Sequence, residues 1–262
     1  MPASLSRKNI LPLEEGQPKT TIRLNKFIAD SGVCSRRSAE ILISEGRITV
    51  NGKVEENLST QIDPKKDWVK LDGKRLQPKN IEQELVYAVY KPKGCVSTLF
   101  DPEGRETIKK FIPKNAPRLF PVGRLDYDTE GLILLTNDGY LANAIAHPSG
   151  EVWKTYLVKI KGILNPADMK AIREGVIWMG KKTLPTQCKI VSEEGDKTWL
   201  QLKLREGKNH QIKNIFFKLD YSVLKIKRIQ VGTVSLGDLP VGGARKLNLE
   251  EVQTLKKSLL KS

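Results

Sequence analysis

Cysteine is scarce here: Cys34, Cys95 and Cys188 are isolated in 262 residues, and none has the C-x-x-C spacing of a zinc ribbon. Neither a disulfide framework nor a zinc ribbon is expected. Histidine is scarcer still, and His147 and His210 are too scattered to build a metal site, so no metal is expected. No apolar run approaches the ~20 residues that cross a bilayer. The N-terminus lacks the apolar core of a secretory signal, so a cytoplasmic protein with no membrane partner is expected. The glycine patterns of Rossmann and P-loop sites are also missing, and nothing asks for a nucleotide cofactor.

What the chain has is positive charge. Lys and Arg number 45 against 30 Asp and Glu, giving +15 and a pI near 9.6. That balance favours a polyanionic partner, through counterion release and steering toward phosphate. The charge is spread along the chain: residues 1–80 carry 15 basic and 10 acidic groups, and residues 81–262 carry 30 and 20. The partner surface is expected to involve both halves.

The chain divides by local signals. Residues 1–20 show mixed charge and no periodicity, and read as a flexible tail. In a first compact unit, residues 21–75, Leu24, Phe27 and Ile28 recur at helical spacing before Gly32. Ser35 can cap a second helix with an apolar face of Ala39, Leu42 and Ile43. Asn51-Gly52 and Asp72-Gly73 then read as hairpin turns. Residues 76–84 read as a polar linker. Residues 85–262 alternate strand-like and helix-like segments without a βαβ period; Asn165-Pro166 and Asn248 with Glu251 mark helix starts. The expected fold class is α+β: a small αβ domain, then a mixed, mostly antiparallel sheet with flanking helices.

The run Gly123-Arg124-Leu125-Asp126-Tyr127-Asp128-Thr129-Glu130-Gly131-Leu132, continuing to Thr136-Asn137-Asp138-Gly139, presents one carboxylate just ahead of an apolar strand. Glycines on both sides let the backbone turn sharply or approach a ligand closely. Further elements follow: Tyr90-Lys91-Pro92-Lys93-Gly94 upstream, Lys154-Thr155-Tyr156-Leu157, and Glu206-Gly207-Lys208-Asn209-His210-Gln211-Ile212-Lys213. Together, over residues 85–250, these resemble the ribosomal-RNA branch of the pseudouridine synthases, of the RsuA type. Residues 22–75, with Arg23-Leu24-Asn25-Lys26-Phe27, Ser35-Arg36-Arg37-Ser38-Ala39 and Gly46-Arg47 through Gly52, resemble an S4-like RNA-binding domain.

The resemblance implies an isomerase. The uridine N-glycosidic bond breaks, uracil rotates, and C5 bonds to the ribose, with no cofactor consumed. It implies that Asp126 is the catalytic carboxylate, as nucleophile or as the base that starts elimination. Lys213 would be its cationic partner, standing where many relatives have arginine, and Tyr156 would stack on the extruded base. RNA contacts would come from Arg23, Lys26, Arg36, Arg37 and Arg47 in the first domain. In the second they would come from Lys91, Arg105, Arg124, Lys154, Lys208, Asn209 and Gln211. Leu132 to Leu135, Phe216 and Phe217 read as core. The expected partner is ribosomal RNA or an assembling ribosomal particle, large subunit preferred, met by a monomer. A non-catalytic ribosome-assembly factor on the same scaffold explains the charge and the first domain equally well. A tRNA-directed synthase shares the chemistry but makes that domain harder to explain. Against the assembly factor stands the joint presence of Asp126, Tyr156 and a cation at 213.

Overall fold

The computed structural model describes residues 21–78, 84–114, 116, 118–147, 150–178 and 180–259. The expected tail, residues 1–20, lies outside these, as does most of the linker. Two compact units divide the chain at Asn80/Ile81.

The first unit runs β1 (Ile22–Arg23), α1 (Leu24–Asp30), α2 (Arg36–Ser44), β2 (Ile48–Val50), β3 (Lys53–Val54), β4 (Gln61–Ile62), β5 (Val69–Leu71) and β6 (Lys74–Leu76). Leu24, Phe27 and Ile28 share one face of α1 and are buried with Ala39 and Ile43 of α2 against Ile48 and Val69. The Ser35 hydroxyl accepts the Ser38 N–H at 3.0 Å and so caps α2. The left-handed pair Asn51 and Gly52 (φ 51° and 83°) turns β2 into β3. Asp72 and Gly73 (φ 47° and 79°) do the same for β5 and β6.

The second unit holds β7 (Val86–Lys91), β8 (Phe120–Val122), β9 (Glu130–Thr136), α3 (Gly139–Ala146), β10 (Lys154–Lys161) and α4 (Pro166–Glu174). After these come β11 (Ile177–Trp178), β12 (Lys181–Lys182), β13 (Gln187–Glu194), β14 (Lys197–Leu204) and α5 (Gln211–Lys218). Last are β15 (Ser222–Val231), β16 (Val234–Ser235), β17 (Ala244–Lys246) and α6 (Leu249–Leu259). One sheet runs β13-β14-β10-β15-β9-β7-β17, with β8 added to β9 and β16 to β15. Its pairs are antiparallel except β9 with β15. The α+β reading holds.

The sheet is covered on both faces. Ile133 and Leu135 point into one apolar cluster with Val158, Leu200, Leu202 and Phe216; Leu132 and Leu134 point into another with Val86, Leu141 and Leu255. That alternation is the period of a strand, and burial on both sides explains why β9 reads as an unbroken apolar run. The helices are capped where their sequences indicate. Asn165 accepts the Asp168 N–H at 2.7 Å, and Asn248 and Glu251 exchange a capping box at 2.8 and 2.9 Å.

Candidate active site

One row of paired residues crosses five strands: Leu202, Tyr156, Arg228, Gly131 and Lys91. The parallel pair in this row requires glycine. A Cβ on Gly131 (φ 113°) would lie 2.2 Å from the Arg228 carbonyl oxygen. The bracketing glycine thus serves close strand approach and not ligand access.

Just before β9, the loop 123–129 carries Asp126. Neighbours hold it by backbone contacts. The Ser97 hydroxyl donates to Leu125 O at 2.8 Å and accepts the Leu125 N–H at 3.0 Å. The Gly94 N–H donates to Tyr127 O at 2.8 Å. Lys91 is fully buried, its ammonium donating to Thr129 O at 2.8 Å and Pro92 O at 2.9 Å. The Lys-Pro-Lys-Gly turn is therefore the cradle of the Asp126 loop, and Lys91 is unavailable to RNA. Burial lowers the Lys91 pKa to about 8, although Asp126 and Asp128 pull it upward. Lys154 is likewise buried and donates to Val152 O at 3.3 Å. Burial and the charge of Arg228 lower it to about 8. It too is a correction to the expected RNA contacts: both lysines sit at strand ends, where residue type suggests surface but sheet pairing covers them.

Arg228 completes this floor. Its Nε donates to Leu132 O at 2.7 Å and its Nη1 to Arg124 O at 3.5 Å, while Nη2 is buried without a hydrogen bond among the described residues. Two cationic side chains, Lys91 and Arg228, thus bond to the backbone of one loop bearing two carboxylates, Asp126 and Asp128.

From the other side comes the turn leading into α5. Buried Glu206 accepts the Leu184 N–H at 2.8 Å and the Gln211 side-chain amide at 2.6 Å, and Lys208 pairs with it at 3.0 Å. Gln211 in turn accepts the Lys208 N–H at 3.2 Å. Gln211 is buried and shapes this turn, a further correction to the RNA contacts. The turn ends at His210, held in the left-handed region (φ 50°) with its Nε2 3.7 Å from Asp126 Oδ1. Lys213 lies one turn further on. Its ammonium is 3.9 Å from Asp126 Oδ2 but 2.7 and 2.8 Å from the two oxygens of Asp128. The expected pair with Asp126 is therefore shared, and Asp128 is the lysine's nearer partner. Partial burial raises the Asp128 pKa, but the Lys213 hydrogen bond and charge outweigh it and leave the group below the usual carboxylate range. Asp128 and His210 were not singled out from sequence. Their position within the two motifs was the only signal available.

Asp126 stands between two cavities. One, of about 270 Å³, is lined by Tyr156, Leu204 and Ile226 together with Asp126, His210 and Lys213. Tyr156 is 8 % exposed, and its hydroxyl makes no hydrogen bond among the described residues. This volume falls just below the ~300–1,000 Å³ of sites for drug-sized ligands and suits one base. The second, about 370 Å³, is lined by Asp101, Arg105, Arg124, Tyr127, Asn209 and His210 among others.

The expected RNA-contacting cations of the surface fall into two groups. Arg23, Arg36, Arg37 and Arg124 are exposed, with no ion pair among the described residues. Arg36 and Arg37 occupy the first turn of α2, which holds no acid. Lys26, Arg47 and Arg105 are tied to Asp30, Asp72 and Asp101 at 2.5, 2.6 and 2.7 Å. The Arg47 fork grips Asp72 with two hydrogen bonds, which raises the arginine's pKa further and lowers that of the aspartate.

A cavity pairing an aspartate with a tyrosine on a two-faced mixed sheet, in a chain that begins with a small αβ module, agrees with the known proteins the chain resembles. Residues 85–218 match the family model for RNA pseudouridylate synthase, and residues 22–69 match the S4 domain. The chain belongs to the RNA pseudouridylate synthase family. It is 38% identical over 236 residues to the ribosomal large subunit pseudouridine synthase B of Bacillus subtilis, covering 89% of this chain and 95% of that one. Against the dual-specificity RNA pseudouridine synthase RluF of Escherichia coli it is 36% identical over 240 residues, covering 92% and 80%. A crystal structure of a pseudouridylate synthase superposes with a TM-score of 0.64 at 32% identity, covering 89% of this chain and 99% of that one.

Proposed function

We propose that this enzyme isomerises a uridine of ribosomal RNA, large subunit preferred, and that Asp126 is its catalytic carboxylate. The observation that carries the reading is the cavity of single-base size lined by Tyr156, Asp126, His210 and Lys213 together. The extruded uracil stacks on Tyr156, which offsets the cost of unstacking by about 1–3 kcal/mol. Asp126 then faces the glycosidic bond. N1–C1′ breaks, the base turns within the cavity, C5–C1′ forms, and the C5 proton departs while N1 gains one. Electrons balance within the nucleotide. The Tyr156 hydroxyl, unengaged by described residues, is available to the proton leaving C5. Leu204 and Ile226 keep the wall beside the base dry, so that water does not intercept the cleaved sugar.

Support for a ribosomal target comes from the relatives named above and from Arg36 and Arg37 in the first turn of α2, free to meet phosphate. The test is tritium release from ribosomal RNA labelled at uracil C5. Wild type should release it and Asp126→Asn should not, with RNA affinity changed by no more than a few fold. Release by the asparagine variant, or loss of its RNA binding, would remove Asp126 from the chemistry.

A further inference from the structure

Phe216 and Phe217 are adjacent on α5, yet they part company. Phe216 is fully buried, whereas Phe217 is 69% exposed, against the expectation that both are core. Phe217 is not an isolated apolar surface residue. Its ring meets Trp178 of β11 edge-on, centroids 5.8 Å apart and planes at 87°. Four residues after Lys213, it shares that residue's helix face and lies about 6 Å further along the axis. The aromatic pair therefore begins one helical turn from the group that holds the Asp126 loop.

The hairpin carrying Trp178 is joined to the same wall. Ile177 pairs with Lys182 and Trp178 with Lys181. The Lys208 ammonium donates to Lys182 O at 3.4 Å, and the Leu184 N–H, just past the hairpin, donates to the buried Glu206 that shapes the cavity turn. Lys181 and Lys182 lie on the hairpin strand facing Trp178, and Lys218 follows Phe217 on α5; all three are exposed and without ion pairs among the described residues. Ile177 adds a further exposed apolar side chain, 61% exposed.

We propose that Phe217 and Trp178, with Lys181, Lys182 and Lys218, form a second RNA contact, where a nucleotide flanking the target uridine stacks as its phosphates meet the lysines. The inference rests on the functional reading above and extends it along the RNA strand. Ring faces take any base and lysines take phosphate, the combination that binds single strands. A protein partner covering the rings would have to bury three unpaired ammonium groups at considerable cost, whereas a nucleotide brings the counter-charge with it.

The test uses the full chain and two ribosomal RNA fragments centred on one uridine, one with single-stranded flanks and one trimmed of them. Phe217→Ala and Phe217→Leu should each weaken binding of the longer RNA by about 5- to 150-fold, the loss of one stacked base. Phe217→Trp should bind as wild type, and the trimmed RNA should respond less than twofold to all three. Unchanged binding of the longer RNA by Phe217→Ala overturns the proposal. So does leucine binding as well as phenylalanine, or an equal loss on both RNAs. Self-association of the wild type that Phe217→Ala abolishes would assign the rings to a second copy instead. Tritium release by the wild type is followed in parallel. Its absence would defeat the functional reading, whereas the stacking proposal is decided by the binding constants alone.

Discussion

Replacing Lys213 tests what a cation does beside Asp126. The ammonium lies 3.9 Å from Asp126 and 2.7 Å from Asp128. Unit charges about 4 Å apart interact by about 1 kcal/mol in water and about 4 kcal/mol at the effective dielectric of a protein surface. The Lys213 and Asp126 side chains are 31% and 32% exposed, so the interaction falls between those limits. Lys213→Ala should then lower kcat/KM by a factor between about 5 and 1,000. Stability should change far less, by no more than about 1 kcal/mol, as for other partly exposed ion pairs. Lys213→Arg should retain activity.

A second substitution sharpens the test. Alanine at 213 leaves Asp126 and Asp128 on one loop without their shared cation, and like charges then oppose each other. Adding Asp128→Asn removes that repulsion, so the double variant should turn over faster than Lys213→Ala alone. The assay is single-turnover tritium release from C5-labelled RNA, with urea unfolding alongside. A fully active Lys213→Ala enzyme, or a double variant slower than Lys213→Ala, would refute the reasoning.

Gly131→Ala should destabilise the fold by about 3 kcal/mol or more, because a Cβ would sit 2.2 Å from Arg228 O at a φ that alanine resists; urea unfolding of the variant measures it, and a loss under 1 kcal/mol would show that the parallel pair can spread. Arg36→Gln with Arg37→Gln should make the salt dependence of ribosomal RNA binding shallower by about 1 to 2 in the log–log slope, one phosphate contact per arginine. An unaltered slope in filter-binding titrations would take α2 out of the interface.

Features that depend on a few neighbouring residues were legible. Ser35, Asn165 and the Asn248–Glu251 box cap the helices their sequences mark, and Asn51-Gly52 and Asp72-Gly73 turn the hairpins, since each needs only its own dihedrals and hydrogen bonds. Asp126, Tyr156 and Lys213 do line one cavity. Features set by strand pairing were not legible. Lys91, Lys154 and Gln211 are of types that usually face water, and only the assembled sheet and the turn before α5 bury them. Arg228 carried no local signal, since its importance comes from pairing with Tyr156 on one side and Gly131 on the other. Phe217 reads as core beside Phe216, and a neighbouring residue on a helix necessarily points some 100° away.

The seam between β9 and β15 also governs when the enzyme can exist during its synthesis. Glu130 and Gly131 pair with Lys227 and Arg228, closing a loop of roughly 100 residues, at an entropic cost that grows to about 4 kcal/mol for that length. Pairing this remote is slow compared with forming hairpins and helices. A growing chain that has emerged only as far as Leu204 already carries Asp126 and Tyr156, but the segment that brings His210, Lys213 and Arg228 to them is not yet there. The cavity around Asp126 therefore assembles late, when translation has released Arg228 and the two halves of the sheet join.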